Sequence, residues 1–405
     1  MKKKFAVFAV ILSSFILFSC SRSGVVISVD ENDLFKLNYG SFEDELNMFD
    51  ISLTGNISTY IAMRDGFFYI ANGESKKIME TNSYGDLLSL YYNNESVRNL
   101  EFEQEDSSVS TKKSVKYPFN TLGPIAVDSR KYLYVVDTLP QDRFEHDEEN
   151  RLLLNNVVLM FDVNGQFVNY IGQQGLGGTP FPIIRKIYTT KKNELVVVCT
   201  TNEGLLAYWF NNRGALLYRI PVTAEQIPMP ADTEEEEGRY YTSVGNVVPD
   251  YNENKLYIKV DFYQEMLDST LKKNSGVTYR KTLLYALNLN NGEYEAPLEI
   301  PAYEHTILND MSKTTDEIPF DFLGVTENGW FFFIITSEDG YIVQIVQPDG
   351  QKIFKRSLTV DHSQVFYYTL DLSSSGIVSG LFVLRNYAKV SWWRTDSLLA
   401  AYISN

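Results

Sequence analysis

Two cysteines and three histidines are all that the 405 residues contain. So few soft ligands exclude a disulfide framework and leave little material for a zinc site or for histidine-based catalysis. Positive charge is also scarce, with 36 Lys and Arg against 52 Asp and Glu and a formal charge of −16. Such a chain repels phosphate backbones, so nucleic acid is excluded as a partner. Beyond residue 55 there is almost no helical periodicity either. What the chain has in quantity is apolar and aromatic: 44% hydrophobic residues, among them 27 Tyr and 25 Phe. That suffices for one large domain or two ordinary ones with a buried core.

The N-terminus has the layout of an address. Lys2, Lys3 and Lys4 precede an uncharged, mostly apolar stretch from Phe5 to Phe18, as in a secretory signal. At about 14 residues it falls short of the roughly 20 that cross a bilayer as a helix. Leu17-Phe18-Ser19-Cys20 resembles the bacterial lipobox. The resemblance implies cleavage before Cys20, thioether linkage of its thiol to diacylglycerol, and anchorage to a membrane of the bacterial cell envelope. An ordinary signal peptide with an incidental cysteine is the competing reading. Loss of residues 1–19 removes three lysines and takes the formal charge to −19. Residues 20–33 then read as a tether, and 34–405 as the folded domain. Cys199 ends the run Leu195-Val196-Val197-Val198-Cys199, which reads as a buried strand with a small core residue at its end.

Apolar and β-branched runs of five to seven residues, separated by Gly, Asn and Asp, predict a nearly all-β chain. One unit recurs. A first turn appears at Arg64-Asp65-Gly66, Ser129-Arg130-Lys131, Lys191-Lys192-Asn193, Asn252-Glu253-Asn254, Glu327-Asn328-Gly329 and Ser374-Ser375-Gly376. A second follows at Ser83-Tyr84-Gly85-Asp86, Val163-Asn164-Gly165, Asn211-Asn212-Arg213-Gly214, Asn290-Asn291-Gly292, Pro348-Asp349-Gly350 and Thr395-Asp396. Six copies of four antiparallel strands predict a six-bladed β-propeller, whose radial closure protects its sheet edges. Leu122-Gly123-Pro124-Ile125-Ala126-Val127-Asp128, Tyr132 to Thr138, and Val158 to Gly172 resemble an NHL-type blade. With the lipobox, this resembles the six-bladed NHL-like propeller lipoproteins of spirochaetes and Bacteroidetes. Leu34 to Gly40 resembles an outermost strand with no inner strands before it. It is expected to complete the last blade, with residues 398–403 as the competing choice.

Topology places the chemistry. In a four-stranded meander the first and third turns share one end, while the second loops and the crossovers share the other. The long segments 93–119, 139–153, 222–239, 262–278 and 301–318 therefore gather at one end as irregular loops, and they carry 22 acidic against 10 basic residues. The densest runs are Asp142, Glu145, Asp147, Glu148 and Glu149, and Glu234, Glu235, Glu236 and Glu237. Single charge runs are usually only solvated, but convergence on one rim would attract basic segments of envelope proteins, a polyamine or a calcium ion. The expected function is a non-catalytic, lipid-anchored protein-binding scaffold without a cofactor.

Two alternatives stay open. One is a lactonase-like hydrolase with a metal in the central channel, for which Asn72, Asp128 and Asp137 are the candidate mouth groups. The other is a carbohydrate- or peptidoglycan-binding module using Trp392-Trp393 and the tyrosines. His146, His305 and His362 have no second histidine at ligand spacing and are expected at the surface. The glycine run Gly172 to Gly178 lacks the following helix that a phosphate cradle needs, and reads as a crossover between blades.

Overall fold

The computed structural model of the chain describes residues 26–48, 57–95, 112–230, 239–267, 274–309 and 312–403. Cys20 and Glu234 to Glu237 lie outside them. The strands form six sheets arranged as the blades of a propeller. Blade 1 runs Thr59–Arg64, Phe67–Asn72, Lys77–Thr81 and Leu87–Tyr92; blade 2 runs Leu122–Val127, Leu133–Thr138, Asn156–Phe161 and Phe167–Gly172. Blade 3 comprises Ile184–Thr189, Leu195–Thr200, Gly204–Phe210 and Leu216–Thr223. Blade 4 has Tyr240–Pro249, Lys255–Leu267 and Asn274–Asn288, with Glu293–Tyr294 and Leu298–Ile300 both paired to the third strand. Blade 5 comprises Asp321–Val325, Phe331–Ser337, Gly340–Val346 and Ile353–Thr359.

Blade 6 takes its first three strands, Tyr367–Leu372, Val378–Val383 and Ala388–Trp393, from the C-terminal part of the chain and its fourth, Asn32–Leu37, from the N-terminal part. The N-terminal strand closes the ring, as expected. Residues 396–403 form a helix, Asp396–Ile403, which suits the strong helix formers in Leu398-Leu399-Ala400-Ala401. The expected turn at Thr395-Asp396 is thus the approach to that helix, because this blade has no covalent link from third strand to fourth. Part of the segment 20–33, expected as a tether, is strand among the described residues. Ile27–Val29 lies parallel to Ile353–Thr359 as a fifth strand of blade 5. Lys113–Lys116 likewise adds a parallel fifth strand to blade 1, and Gly175–Leu176 an antiparallel one to blade 2. The blades are four- or five-stranded.

Why the ring holds is visible in the alternation of side chains. Successive residues of a strand face opposite sides of its sheet, and every blade is sandwiched between two others. Phe68 and Ile70 enter the cluster shared with blade 6, whereas Tyr69 and Ala71 enter that shared with blade 2. The same parity splits Leu195, Val197 and Cys199 from Val196 and Val198, and Phe331 and Phe333 from Phe332 and Ile334. Second strands bury both faces, so they read as unbroken apolar runs. At roughly 1.5–3 kcal/mol for each fully buried large side chain, these interblade layers dominate the stability of the fold.

Short polar turns cap one end of the ring. Asn82, Asp128, Asp162, Asn211 and Asp250 each use Oδ1 to accept backbone N–H groups of their own turn. Gly85, Gly165 and Gly214 supply the left-handed residue, with φ of 88°, 81° and 80°. Neighbouring first turns are latched together. Lys191 N–H donates to Tyr251 O at 2.9 Å, Asn252 Nδ2 to Glu327 O at 2.7 Å, and Glu327 N–H to Ser374 O at 2.8 Å.

The opposite end carries the insertions, and these are more ordered than irregular loops. Residues 139–153 include the small ribbon Glu145–Asp147 with Leu152–Leu154, and 301–318 form the ribbon Tyr303–Asn309 with Ser312–Ile318. Residues 262–267 and 274–278 are the far part of a ladder that pairs Lys255–Leu267 with Asn274–Asn288. Cross-strand aromatic contacts explain its regularity: Tyr263 opposes Tyr279, edge to face at 5.9 Å between ring centroids.

Candidate functional sites: an axial channel and an acidic rim

The first strands of all six blades surround a central cavity of about 680 Å³. Closing the ring brings diametrically opposed blades into contact range. Arg64 of blade 1 reaches across to Tyr251 of blade 4, Nη2 to Oη 3.3 Å, at the end that carries the short turns. Lys186 of blade 3 faces the same space as Asp371 of blade 6. The Asp371 carboxylate accepts the Met63 N–H at 2.9 Å. The Lys186 ammonium has no hydrogen-bond or ion-pair partner among the described residues; the Tyr188 ring lies beneath it, 5.4 Å to the centroid.

Burial governs the protonation of both groups. It lowers the Lys186 pKa and raises that of Asp371, and the attraction between them opposes both shifts without cancelling either. Burial likewise pushes the Tyr188 phenol up. Both side chains are half-buried in the wall of the open channel.

The three expected mouth groups are elsewhere, and none lines this channel. Asp128 sits at the short-turn end, pairs with Arg130 at 2.6 Å and accepts the N–H groups of Arg130 and Tyr132. It is a turn cap. Asn72, fully buried, ties the Asn47 backbone to Thr59 and Glu74. Asp137 accepts the N–H of Asn120, and of Thr121 at 2.7 Å; burial pushes its pKa up to about 6 against those hydrogen bonds. Each is a structural strut in the position where a metal ligand was expected. Among the described residues no three His, Cys, Asp or Glu side chains are grouped to hold a metal ion.

At the rim, Asp142, Glu145, Glu148 and Glu149 are exposed on the blade 2 insertion. Asp147 is held by Asn150, whose Nδ2 and backbone N–H keep the carboxyl below its usual range. Asp147 and Glu149 border a pocket of about 180 Å³ against blade 3, where Asn202 Nδ2 donates to Asn150 O at 2.9 Å. A second acidic surface lies in 301–318, which the sequence places among the acidic segments without singling out its residues. Glu304, Asp316 and Glu317 face Val277, Thr278 and Tyr279 across an open groove of about 690 Å³, between the 303–318 ribbon and the blade 4 ladder. Its signal was the adjacent acids Asp316-Glu317 at the end of the run Ser312–Ile318, diluted by the threonines before them.

The remaining sequence candidates find ordinary places. Cys199 is buried without a disulfide partner among the described residues, and burial raises its thiol pKa. His305 stacks on Tyr303, and His362 Nε2 lies 2.9 Å from Gly340 O. The Gly172–Gly178 run turns back on blade 2 and leads to the strand Ile184–Thr189.

No family model matches the chain, and no curated protein matches it. Solved structures do. An ulvan lyase of polysaccharide lyase family 25 has a TM-score of 0.39 and 9% identity, over 89% of this chain and 95% of the other. Regucalcin from Agrobacterium tumefaciens, described as a calcium-binding protein, has a TM-score of 0.39 and 8% identity over 92% and 95%. The β-propeller domain of the Trilobed protease from Pyrococcus furiosus has a TM-score of 0.38 and 8% identity over 83% and 96%. Function is therefore argued from this chain's own residues.

Proposed function

We propose that this protein is a lipid-anchored scaffold of the bacterial cell envelope, tethered through Cys20, that captures basic segments of partner proteins at its insertion-bearing rim. The observation that carries the reading is the groove between the 303–318 ribbon and the blade 4 ladder. One wall presents Glu304, Asp316 and Glu317, and the other offers Tyr279 with exposed Val277. An extended segment with alternating basic and small apolar residues matches both walls. The acidic rim of blade 2 adds a field that attracts the same partners. A propeller suits the task because its loops stand on a rigid ring.

A fluorescein-labelled peptide of alternating Lys and Val tests the groove. By anisotropy, the wild type is expected to bind it at low salt and progressively more weakly as salt rises. The combined substitution E304Q, D316N and E317Q is expected to weaken binding at least tenfold with an unchanged urea midpoint. Equal affinity in the triple variant would remove the groove from the reading. Anchoring has its own test: metabolic labelling with a clickable fatty acid is expected to mark the wild type and to be lost in C20A.

A further inference from the structure

We propose that the axial channel is a second, separate binding site, which takes a small hydroxylated organic acid with its carboxylate on Lys186 and a hydroxyl on Asp371. The starting point is a cation that no protein acceptor meets among the described residues. An ammonium carries three N–H donors. Lys186 stands half-buried in the channel wall over the Tyr188 ring, with its ammonium facing the cavity. Asp371 shares the cavity but lies beyond ion-pair distance, and its carboxylate accepts the Met63 N–H. A carboxylate acceptor has capacity for further donors. The two groups therefore bracket a space whose ends ask for opposite chemistry.

The rest of the lining agrees. Arg64 bonds Tyr251 through Nη2, while its buried Nε has no hydrogen-bond partner; Asp65 is 3.6 Å away. Arg185 is held only loosely, 3.4 Å from Gly245 O. With Lys186 and Arg394 the lining has four cations against Asp65, Glu327 and Asp371, one net positive charge inside a chain of formal charge −16. An anion that avoids the acidic rim can be accepted here. About 680 Å³ lies within the range of small-molecule sites, and Trp392 in the lining supplies an optical reporter.

The test uses the full-length chain in mild detergent with sodium gluconate and sodium phosphate as probes, and sodium chloride at matched ionic strength as the blank. Gluconate is expected to change tryptophan fluorescence saturably, and phosphate, which satisfies only the Lys186 end, to do so more weakly. K186M is expected to weaken gluconate binding at least tenfold, K186R to stay within about threefold, and D371N to erase the preference for gluconate over phosphate. A readout on the wild type makes the outcome independent of variant folding. Gluconate should slow reductive methylation of Lys186, resolved by mass spectrometry, and leave Lys192 unaffected. No saturable response to either probe, or unprotected Lys186, overturns the proposal. The peptide assay at the rim is independent of both results.

Discussion

Replacing Phe35 by Ala probes the joint on which ring closure depends. Phe35 is 8% exposed, meets Phe68 edge to face at 5.8 Å, and packs with Leu37, Ile61, Leu90 and Leu381 in the layer between blades 6 and 1. A Cβ on Gly85 would come within 2.8 Å of the Phe35 Cβ, so that glycine is part of the same fit. Truncating such a side chain costs about 3–5 kcal/mol, the lost transfer energy plus the cavity left behind. Because Asn32–Leu37 is joined to blade 6 only by non-covalent contacts, the loss should appear first as local opening. At 1.4 kcal/mol per tenfold change, amide exchange at that strand is expected to accelerate about 100-fold or more. Its partner Ala388–Trp393 should accelerate in step. Hydrogen-exchange mass spectrometry on peptides covering 31–38 and 386–394 reads both, and urea titration reads the global loss. A cost below about 1 kcal/mol, or exchange at the two strands that changes independently, would refute closure by this strand.

Two further outcomes follow from buried charge. Asp137 has its folded pKa raised to about 6 from 3.8, chiefly by burial. The folded state thus holds this proton more tightly than the unfolded chain does. The associated stability is fully present below pH 3.8 and is lost as pH rises through 6, a change of about 3 kcal/mol at most. The wild type minus D137N difference in urea stability, measured from pH 3.5 to 7, should fall over that window; a flat or rising difference contradicts the burial argument. K186M should fold and be more stable than the wild type by about 1 kcal/mol, since an unpaired, half-buried charge is replaced by an apolar chain of similar length. A clear loss in its urea midpoint would show that Lys186 has a structural partner.

Much of the architecture was legible because its causes are local. Turn chemistry at Asp128, Asp162 and Asn211 acts over four residues, and runs such as Leu195 to Cys199 declare a strand with both faces covered. Insertions were located correctly but misread as irregular, because the ladder through Tyr263 and Tyr279 gains stability only from the opposite strand. Residues 34–40 and 398–403 competed as the closing strand until their surroundings were seen. Phe35 and Leu37 fill the gap beside blade 1, whereas Leu399 packs as a helical residue beside Gly376 and Val378.

The sites followed the opposite rule. Asn72, Asp128 and Asp137 stood out as polar residues at strand ends, yet each is consumed by backbone groups within 25 residues of it. Lys186 and Asp371 looked like single charges in unrelated strands, and only ring closure sets them on one axis. The amino-acid order by itself determined the number of repeats and their turns, since hydrophobic alternation and turn propensity operate over a few residues, and it left two terminal segments competing to close the ring. Tertiary structure decided which charged groups share a cavity and which acids share a groove. Those choices depend on the curvature of six packed sheets, which is set by the summed interblade contacts and is written in no single segment.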